Sequence, residues 1–329
     1  YQYANNTWTQ LGSDIDGESS GDRNGYSVSL SNDGTIVAIG ATENNGNGSQ
    51  SGHVRIFQYT DNVWTQIGSD IDGESTNDLS GWSVSLSGDG TKVAIGAPDN
   101  DGNGLTNSGQ VRVYKYENNS WTQLGSDIDG EQVEYRTGHS VSLSDDGMTL
   151  AVSTGDCDCD EDGTVNSGIR GYIKVLKYSN TSNDWIKLGD SIAGEIDGDR
   201  FGDAVAISDD GKRVVGGAKY NRNHPIGNAS GHIRVFEYQD NSSSWVQLGD
   251  DIDGNTSTND EIGFSVAISN DGKKVIGGGI NSNSGTGIVR GYEFRDPHVT
   301  LSSASILPEV AEATATVTAT LEFASSSEV

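Results

Sequence analysis

The chain has few cysteines, prolines, methionines and basic residues. Its 329 residues include two cysteines, four prolines, one methionine, and 20 lysines and arginines against 48 aspartates and glutamates. The pair Cys157 and Cys159 cannot supply a disulfide framework. The formal net charge of −28 disfavours nucleic acids and anionic membranes as partners, because their phosphates would be repelled. No apolar run is long enough to predict a membrane-spanning helix. No signal peptide is visible and the chain starts at Tyr1, which indicates a mature or trimmed protein.

Glycine, in contrast, is abundant, with 45 residues. Ser, Thr, Asn and Asp fill the gaps between short apolar runs, and no segment keeps a helical period. This composition is typical of an all-β protein with many turns.

A stretch of eleven residues, WTQLGSDIDGE, recurs along the chain. It starts at Trp8, returns almost unchanged from Trp64 and Trp121, and returns more loosely from Trp185 and Trp245. The steps between these tryptophans are 56, 57, 64 and 60 residues. A repeat of this length is typical of propellers and arrays, so it defines the architecture.

Each repeat unit contains four short apolar runs, which in the first unit are residues 8–12, 25–31, 35–41 and 52–59. An Asp-Gly pair separates the second run from the third, and this pair is a strong hairpin signal. The third run is apolar or small on both faces, so it requires cover on both sides. Blades stacked around an axis give that cover. We therefore predict an all-β propeller of four-stranded blades over residues 1–296.

The number of blades follows from the ends of the repeat array. The last unit has no Trp strand after it, and the Trp8 strand could fill that gap and close the ring, which favours five blades. Residues 1–3, YQY, align with residues 57–59, FQY, as though a repeat had been cut. A ring of seven blades therefore remains the alternative.

The order Gly-aromatic-Ser-Val, Asp-Gly, Val-Ala-Ile-Gly-Ala and Gly-x-Val-Arg-Val-Tyr resembles the FG-GAP repeat of integrin α-chain propellers. The amino-acid sequence of the repeat, with WTQLGSDIDGE, is also similar to propeller repeats in large secreted surface proteins of marine bacteria and microalgae. The resemblance covers residues 1–295 and implies an extracellular structural or adhesive role. One departure is that the loop between the second and third strands, where integrin-type repeats often bind calcium, is here a bare Asp-Gly turn.

The repeated carboxylates of the motif, such as Asp14, Asp16 and Glu18, are interpreted as turn and pairing groups. A ring with one axis seldom carries five active sites, so repetition argues against catalysis. His53 and His232 share one repeat position, and no nucleophile–histidine–carboxylate order or phosphate loop is present. From this we predict that the chain is not an enzyme and that function lies where the units differ.

The loop between the third and fourth strands differs most between units. In the third unit its oxygen-bearing residues have the spacing of a calcium loop, with a glycine at the sixth position and Ile169 in place of a twelfth-position glutamate. The second unit repeats this pattern with fewer carboxylates. For both loops, the alternative is a solvated polar loop that binds no ion. The predicted Ca²⁺ ligands are Asp158, Asp160, Asp162, Asn166 and the Thr164 carbonyl, and Asp99, Asp101, Asn103, Asn107 and the Leu105 carbonyl. Whether Cys157 and Cys159 are bridged stays open.

Seven Asn-x-Ser/Thr sequons permit glycosylation of an extracellular protein. They begin at Asn5, Asn47, Asn118, Asn180, Asn228, Asn241 and Asn255.

The composition changes to Ala, Ser, Thr and Val over residues 297–329. Residues 313–323 alternate between apolar and polar, which predicts a half-buried strand. The tail resembles the start of a Calx-β or immunoglobulin-like module. Its strands are expected to join a neighbouring copy by strand addition, which would grow a filament, or to belong to a downstream domain.

These patterns predict a calcium-stabilised, secreted, structural or adhesive propeller of a surface protein or filament. The alternative function is a lectin-like propeller that binds carbohydrate on one face.

Overall fold

The computed structural model describes residues 1–154, 170–221, 230–255, 260–281 and 286–294, with the backbone of His298–Thr300 and Thr320–Glu322. Its elements are β-strands, apart from one 3-10 turn at Gly102–Gly104. The chain starts with a hairpin of β1 (Gln2–Ala4) and β2 (Thr7–Thr9) and continues into a five-bladed propeller. The prediction of an all-β propeller is confirmed.

Each blade is an antiparallel sheet whose strands follow chain order from the innermost outwards. Blade 1 contains β3 (Asn24–Leu30), β4 (Ile36–Ala41), β5 (His53–Thr60) and β6 (Val63–Gln66). A short fifth strand, β7 (Ile71–Asp72), pairs with the start of β5 beside the same edge as β6.

Blades 2, 3 and 4 repeat this arrangement. Blade 2 contains β8 (Ser83–Leu86), β9 (Lys92–Ala97), β10 (Gln110–Glu117), β11 (Ser120–Gln123) and the short β12 (Ile128–Asp129). Blade 3 contains β13 (Val141–Leu143), β14 (Thr149–Thr154), β15 (Tyr172–Ser179), β16 (Asp184–Lys187) and the short β17 (Ile192–Ala193). Blade 4 contains β18 (Ala204–Ile207), β19 (Arg213–Ala218), β20 (His232–Gln239), β21 (Ser244–Gln247) and the short β22 (Ile252–Asp253).

Blade 5 has three strands among the described residues. They are β23 (Ser265–Ile268), β24 (Lys274–Gly279) and β25 (Ile288–Glu293). The predicted clasp by the Trp8 strand is not formed there, because β2 pairs with β1 and places Trp8 opposite Tyr3. Trp8 is 68% exposed. The first hairpin therefore repeats the β5–β6 hairpin of blade 1, in which Trp64 lies opposite Tyr59.

The Asp-Gly turns form as predicted. In blade 1, the Asp33 carboxylate accepts hydrogen bonds from the Thr35 amide at 2.9 Å and the Ser31 hydroxyl at 2.8 Å. Gly34 has a φ of +72°, the left-handed backbone region that glycine adopts without strain. Because local hydrogen bonds of this kind determine the turn, its position could be predicted from the sequence.

The hydrophobic core lies between the blades. Each of four apolar clusters joins neighbouring blades, as in the cluster where Val54 and Ile56 of blade 1 pack with Val84 and Leu86 of blade 2. The outer faces of blades 1 and 5 lack such cover, since Val28 is 65% and Val289 is 73% exposed.

Tryptophans connect the outer strands of successive repeats. The indole Nε1 of Trp185 donates to the Leu124 carbonyl at 2.7 Å, and the same bond joins Trp64 to Leu11, Trp121 to Ile67 and Trp245 to Leu188. The repeated tryptophan is therefore an inter-repeat contact.

Replacing Trp185 with phenylalanine should lower the free energy of unfolding by about 1–2 kcal/mol, through the lost hydrogen bond and the smaller ring. Trp8→Phe is the matched control, and it should change stability by less than about 0.5 kcal/mol because Trp8 is exposed. Urea unfolding measures both variants. Equal losses would contradict the role assigned to the buried indole.

The tail contains one described strand pair. Strand β26 (His298–Thr300) pairs antiparallel with β27 (Thr320–Glu322), with Val299 opposite Leu321. The predicted strand over residues 313–323 thus includes β27, and the rest of it lies outside the described residues. Pairing of the tail with another copy stays a prediction.

Candidate functional site

The repeated motif forms a short strand against the third strand of its own blade. In blade 2, Val111 and Gln110 of β10 pair with Ile128 and Asp129 of β12. The following Gly130 donates its amide to the Gly109 carbonyl at 2.8 Å. A Cβ on Gly130 would lie 1.9 Å from the Ser108 carbonyl oxygen, so this position must be glycine.

Aspartates of the motif and of the residues that follow it have hydrogen-bond partners in the fold. The first aspartate accepts a hydrogen bond from the motif's glutamine, for example from Gln66 to Asp70 at 2.6 Å. A later aspartate, Asp78, is buried and accepts the Ser75 amide at 2.8 Å and the Asn100 side chain at 2.9 Å. Burial raises the pKa of the Asp78 carboxyl above its ordinary value.

At two places, two successive copies of the motif meet a buried histidine. The first histidine cluster is Glu18, His53 and Asp70, and the second histidine cluster is Glu195, His232 and Asp251. In each cluster the histidine begins the third strand of a blade, and the aspartate directly precedes that blade's short strand. The glutamate comes from the motif copy that precedes the blade, so each cluster joins two successive repeats.

The histidine nitrogens stand slightly beyond hydrogen-bond distance of the carboxylates. His232 Nδ1 lies 3.8 Å from Glu195 Oε2 and 3.7 Å from Asp251 Oδ2. His53 Nδ1 lies 3.9 Å from Glu18 Oε2. The imidazole of His232 is fully buried, and neither of its nitrogens has a hydrogen-bond partner.

Burial keeps both imidazoles neutral at physiological pH. It lowers the pKa of His232 to about 4, with a further lowering from the Arg234 guanidinium that outweighs the Asp251 carboxylate. Burial also lowers the pKa of His53, against the opposite effect of the Asp70 carboxylate. A neutral imidazole has a nitrogen lone pair, so it can bind a metal ion.

The other repeats fill the histidine position differently. In blade 2 the Gln110 amide donates to Glu74 at 3.1 Å and to Asp129 at 3.2 Å. In blade 3 the position holds Tyr172, and Lys174 binds the repeat's glutamate, Glu131, at 2.6 Å. The histidine clusters are therefore a property of two blades and not of the repeat as such.

These clusters were not predicted, because the carboxylates and the histidines lie far apart in the sequence. A usable signal was the shared order of glutamate, histidine and aspartate, with closely similar spacings in the first and fourth units. Those spacings are visible only when the two units are aligned on Trp8 and Trp185.

The predicted calcium loop of the second unit surrounds the 3-10 turn. Gly104 has a φ of +73°, as the sharp bend of such a loop requires. Asp101 Oδ1 accepts the Asn107 amide at 2.9 Å, while the Asp99 carboxylate lies 3.3 Å from the Arg136 guanidinium. The oxygen donors suit a hard cation, but Arg136 competes for Asp99.

The remaining predicted ligands of this loop are held by neighbouring acidic residues. The side-chain amide of Asn103 donates to Asp129 Oδ2 at 2.9 Å, and that of Asn107 donates to Glu134 at 3.2 Å. Leu105 follows the turn and donates its amide to Gly102. The predicted ligands of the third unit, Asp158, Asp160, Asp162, Thr164 and Asn166, lie outside the described residues, as do Cys157 and Cys159.

Six of the seven sequon asparagines are exposed, and Asn228 lies outside the described residues. The side-chain nitrogen of Asn47 donates to the carbonyls of Gly73 and Glu74, at 2.9 Å and 3.0 Å. Glycosylation of Asn47 would disturb these bonds, so the other exposed sequons are better placed for a glycan.

Comparison with protein families supports the repeat. Residues 14–57 and 70–114 match the model of the FG-GAP repeat, which confirms the resemblance for these two stretches. A comparison with curated proteins gives no match. In the described residues no helix is long and apolar enough to cross a membrane.

Solved structures share the propeller fold at low sequence identity. Hydrazine synthase of Kuenenia stuttgartiensis is 15% identical with a TM-score of 0.51, over 89% of this chain and 67% of that one. The periplasmic gluconolactonase of Pseudomonas aeruginosa is 15% identical with a TM-score of 0.50, over 80% and 70%. A protein assigned as a 6-phosphogluconolactonase, from Bacteroides uniformis ATCC 8492, is 14% identical with a TM-score of 0.46. The match covers 70% of this chain and only 55% of that protein.

The hydrazine synthase and the periplasmic gluconolactonase correct the prediction that the chain is not an enzyme. Proteins named for enzymatic activities have the same fold, so a repeat architecture is no ground for excluding catalysis. Repetition describes the scaffold, whereas activity depends on a site that a single blade can carry. An enzymatic activity is compatible with this fold.

Proposed function

We propose that this chain is an extracellular structural or adhesive module, stabilised by calcium, whose copies join through the outer faces of blades 1 and 5. The exposure of these two faces carries the proposal, because the interior blades bury the same positions. The FG-GAP repeats, which resemble those of surface proteins, support the extracellular setting.

The face of blade 1 presents the apolar side chains of its innermost strand. Val28 and Leu30 are 65% and 57% exposed, whereas Val84 and Leu86 at the same positions of blade 2 are buried. Apolar side chains at these positions pack against the preceding blade in each interior interface. Blade 1 therefore presents one half of the interface that the chain repeats between its blades.

The face of blade 5 presents the other half. Val289 is 73% and Ile276 is 50% exposed, whereas Val54 and Ala38 at the same positions of blade 1 are fully buried. Because Val54 and Ala38 pack against Val84 and Leu86, Val289 and Ile276 are suited to pack against Val28 and Leu30 of another copy.

Polar groups at the two faces match in the same way. The Ser27 hydroxyl of blade 1 donates to the Gly81 carbonyl of blade 2 at 2.7 Å, and Ser83 donates to Gly138 at 2.7 Å. Ser265 holds this serine position in blade 5, and Gly25 holds the glycine position in blade 1. The contact between copies would thus repeat an existing interface, down to its hydrogen bonds.

Such a contact is heterologous, because two different faces meet. It closes into a ring if the rotation permits and otherwise grows into a filament. Burying an aliphatic side chain contributes about 1.5–3 kcal/mol, and four of them offset much of the cost of association. We therefore expect assembly that is reversible and depends on protein concentration.

Complementary face variants test this contact. Leu30→Asp blocks the face of blade 1, and Val289→Asp blocks the face of blade 5. Each variant alone should sediment as a monomer, whereas their mixture should give a one-to-one dimer through the two intact faces. Val63→Asp on outer strand β6 is the control, and it should assemble like the unchanged chain because Val63 is exposed and lies on neither face.

Two results would reject the joined-face proposal. One is an unchanged chain that stays monomeric at every concentration, and the other is a variant mixture without dimers. Truncation after Arg295 separates this route from strand addition by the tail. The truncated chain should still assemble through the blade faces, and loss of assembly on truncation would instead support the tail.

Calcium is expected to stabilise the module through the loops of the second and third units. Chelation should lower the melting temperature, and Asp160→Ala should remove most of that sensitivity. Asp101→Ala should remove a smaller part, because Arg136 competes for Asp99 in that loop. Glu43→Ala serves as the control and should retain the full response, because Glu43 is the single charged residue in the corresponding loop of the first unit, residues 42–52. A melting temperature that chelation does not change would contradict calcium binding.

One cleft favours carbohydrate binding as a second candidate function. Trp64, Phe57 and Arg55 line it together with residues 13–16, which include the carboxylates of Asp14 and Asp16. Aromatic rings beside carboxylates can stack on a sugar and bind its hydroxyls. A glycan array with the unchanged chain tests this function, and Asp14→Asn should abolish any specific signal. An array without a signal would argue against it.

A further inference from the structure

The two histidine clusters have the donor set of a transition-metal site. Each cluster offers one imidazole nitrogen and two carboxylate oxygens, with one ligand atom from every residue within 4.8 Å of the others. Zinc sites in proteins combine imidazole with carboxylate ligands and often leave one position open. Groups of acidic side chains are expected by chance in a chain of this charge. The buried histidine is what distinguishes these two clusters as candidate metal sites.

The histidine of the second cluster is buried without a partner. His232 is fully buried, and neither ring nitrogen has a hydrogen-bond partner, although Nδ1 points at two carboxylates. In the first cluster, His53 is also buried, and its Nδ1 lies 3.9 Å from Glu18 Oε2 and 4.0 Å from Asp72 Oδ1, while the unpartnered nitrogen is Nε2. A buried polar group without a hydrogen bond is costly, and a cation bound between His232 Nδ1 and the two carboxylates would satisfy that nitrogen.

We propose that Glu195, His232 and Asp251 bind a divalent transition-metal ion such as Zn²⁺, and that Glu18, His53 and Asp70 bind a second one. This inference is independent of the proposed assembly of copies and of the predicted calcium loops. The mixed nitrogen and oxygen ligands of these clusters suit a transition metal. The predicted calcium loops, in contrast, offer only oxygen ligands, which suit a hard cation.

The distances suit ligands of a shared ion. Zinc binds nitrogen and carboxylate oxygen at about 2.0–2.2 Å, so two ligands of one tetrahedral ion stand roughly 3.4 Å apart. The distances from His232 Nδ1, 3.7 Å to Asp251 and 3.8 Å to Glu195, need only a small contraction. They are too long for hydrogen bonds, which indicates space for an ion between the three groups.

Neighbouring side chains already orient the carboxylates. The Gln247 amide donates to Asp251 Oδ1 at 2.7 Å, which leaves Oδ2 directed at His232. Gln66 holds Asp70 Oδ1 in the same way at 2.6 Å. Partners of this kind fix a ligand before the metal binds and strengthen binding.

The ion would connect successive repeats. Glu195 follows the short strand of blade 3, whereas His232 and Asp251 belong to blade 4. In blade 2 the equivalent Gln110 makes direct hydrogen bonds to Glu74 and Asp129, and thereby connects repeats without a metal. The histidine units would thus replace a direct bridge with one that depends on the ion, and Gln110 shows that the fold accommodates glutamine at this position.

Zinc titration by calorimetry tests the two sites. The full chain is prepared with Cys157→Ser and Cys159→Ser, which removes competing thiolates, then freed of metal with a chelator and kept in excess Ca²⁺. We expect two bound Zn²⁺ per chain. His232→Gln and His53→Gln, which copy Gln110, should each leave one ion, and the double variant should bind none at these affinities. His139→Gln, which changes a histidine outside both clusters, should still bind two.

A second pair of measurements keeps the proposal testable if a histidine variant fails to fold. Glu195→Gln changes a partly exposed ligand, and it should weaken one of the two Zn²⁺ equivalents at least tenfold. Co²⁺ should give visible absorption typical of nitrogen and oxygen ligands, which the double histidine variant loses. The proposal is overturned if the unchanged chain binds no Zn²⁺, or if the double variant retains both equivalents.

Discussion

Replacing Gly130 with alanine is expected to lower the free energy of unfolding by more than about 3 kcal/mol. The new Cβ would lie 1.9 Å from the Ser108 carbonyl oxygen and 2.9 Å from the Thr137 hydroxyl. The backbone cannot withdraw, because the Gly130 amide is bound to the Gly109 carbonyl and β12 is paired with β10. This overlap outweighs the gain of up to about 1 kcal/mol that alanine brings by restricting the unfolded chain.

Gly17 is the matched control for Gly130, since it occupies the same place in the first copy of the motif. Its Cβ would lie 3.1 Å from the Asn24 Cβ and at ordinary contact distances from Ser19 and Asp22, 3.8 Å and 3.9 Å, and its φ is not positive. Gly17→Ala should therefore change stability by less than about 1 kcal/mol. Chemical denaturation measures both variants. If both variants lost a similar free energy of unfolding, the requirement for glycine in the motif would not come from the short strand.

Acidification should destabilise the metal-free chain through His232. The folded protein keeps this imidazole neutral down to about pH 4, whereas the unfolded chain protonates its histidines near the ordinary value of 6.5. Protons therefore bind the unfolded state preferentially as the pH falls through this window. The stability that the neutral imidazole contributes above pH 6.5 is lost by about pH 4, a loss of roughly 3 kcal/mol.

Comparison with His232→Gln isolates this contribution. Buried carboxyls with raised pKa values, such as those of Asp78 and Asp199, are present in both proteins and cancel in the difference. Between pH 7 and pH 4 the unchanged chain should lose about 2–3 kcal/mol more than the variant, measured by urea unfolding in chelator. Parallel pH profiles would mean that His232 is not held neutral in the fold.

The blades were predictable because their signals are local. Asp33 and Gly34 set a turn through bonds to residues two positions away, and alternating apolar runs set the strands on either side. The tryptophan period then gave the repeat and, with it, the propeller. The glycine of the motif lets β12 approach the Ser108 carbonyl, a role that depends on the pairing of β12 with β10 and not on local signals.

The histidine clusters were not predictable in this way. Glu195 and Asp251 reach His232 from opposite directions along the chain, and they meet only through the pairing of β22 with β20 and the stacking of two blades. The exposed faces of blades 1 and 5 could not be predicted from the sequence for a related reason. Val28 and Val84 are the same residue in the same local context, and only the presence of a neighbouring blade separates them.

Sedimentation velocity of the unchanged chain over a range of concentrations tests the central claim most directly. If copies join through the faces of blades 1 and 5, the mass should rise with concentration from the 34.6 kDa monomer to dimers and longer species. Leu30→Asp should hold the mass at the monomer value throughout. A single 34.6 kDa species at every concentration, for the unchanged chain as for the variant, would contradict the account.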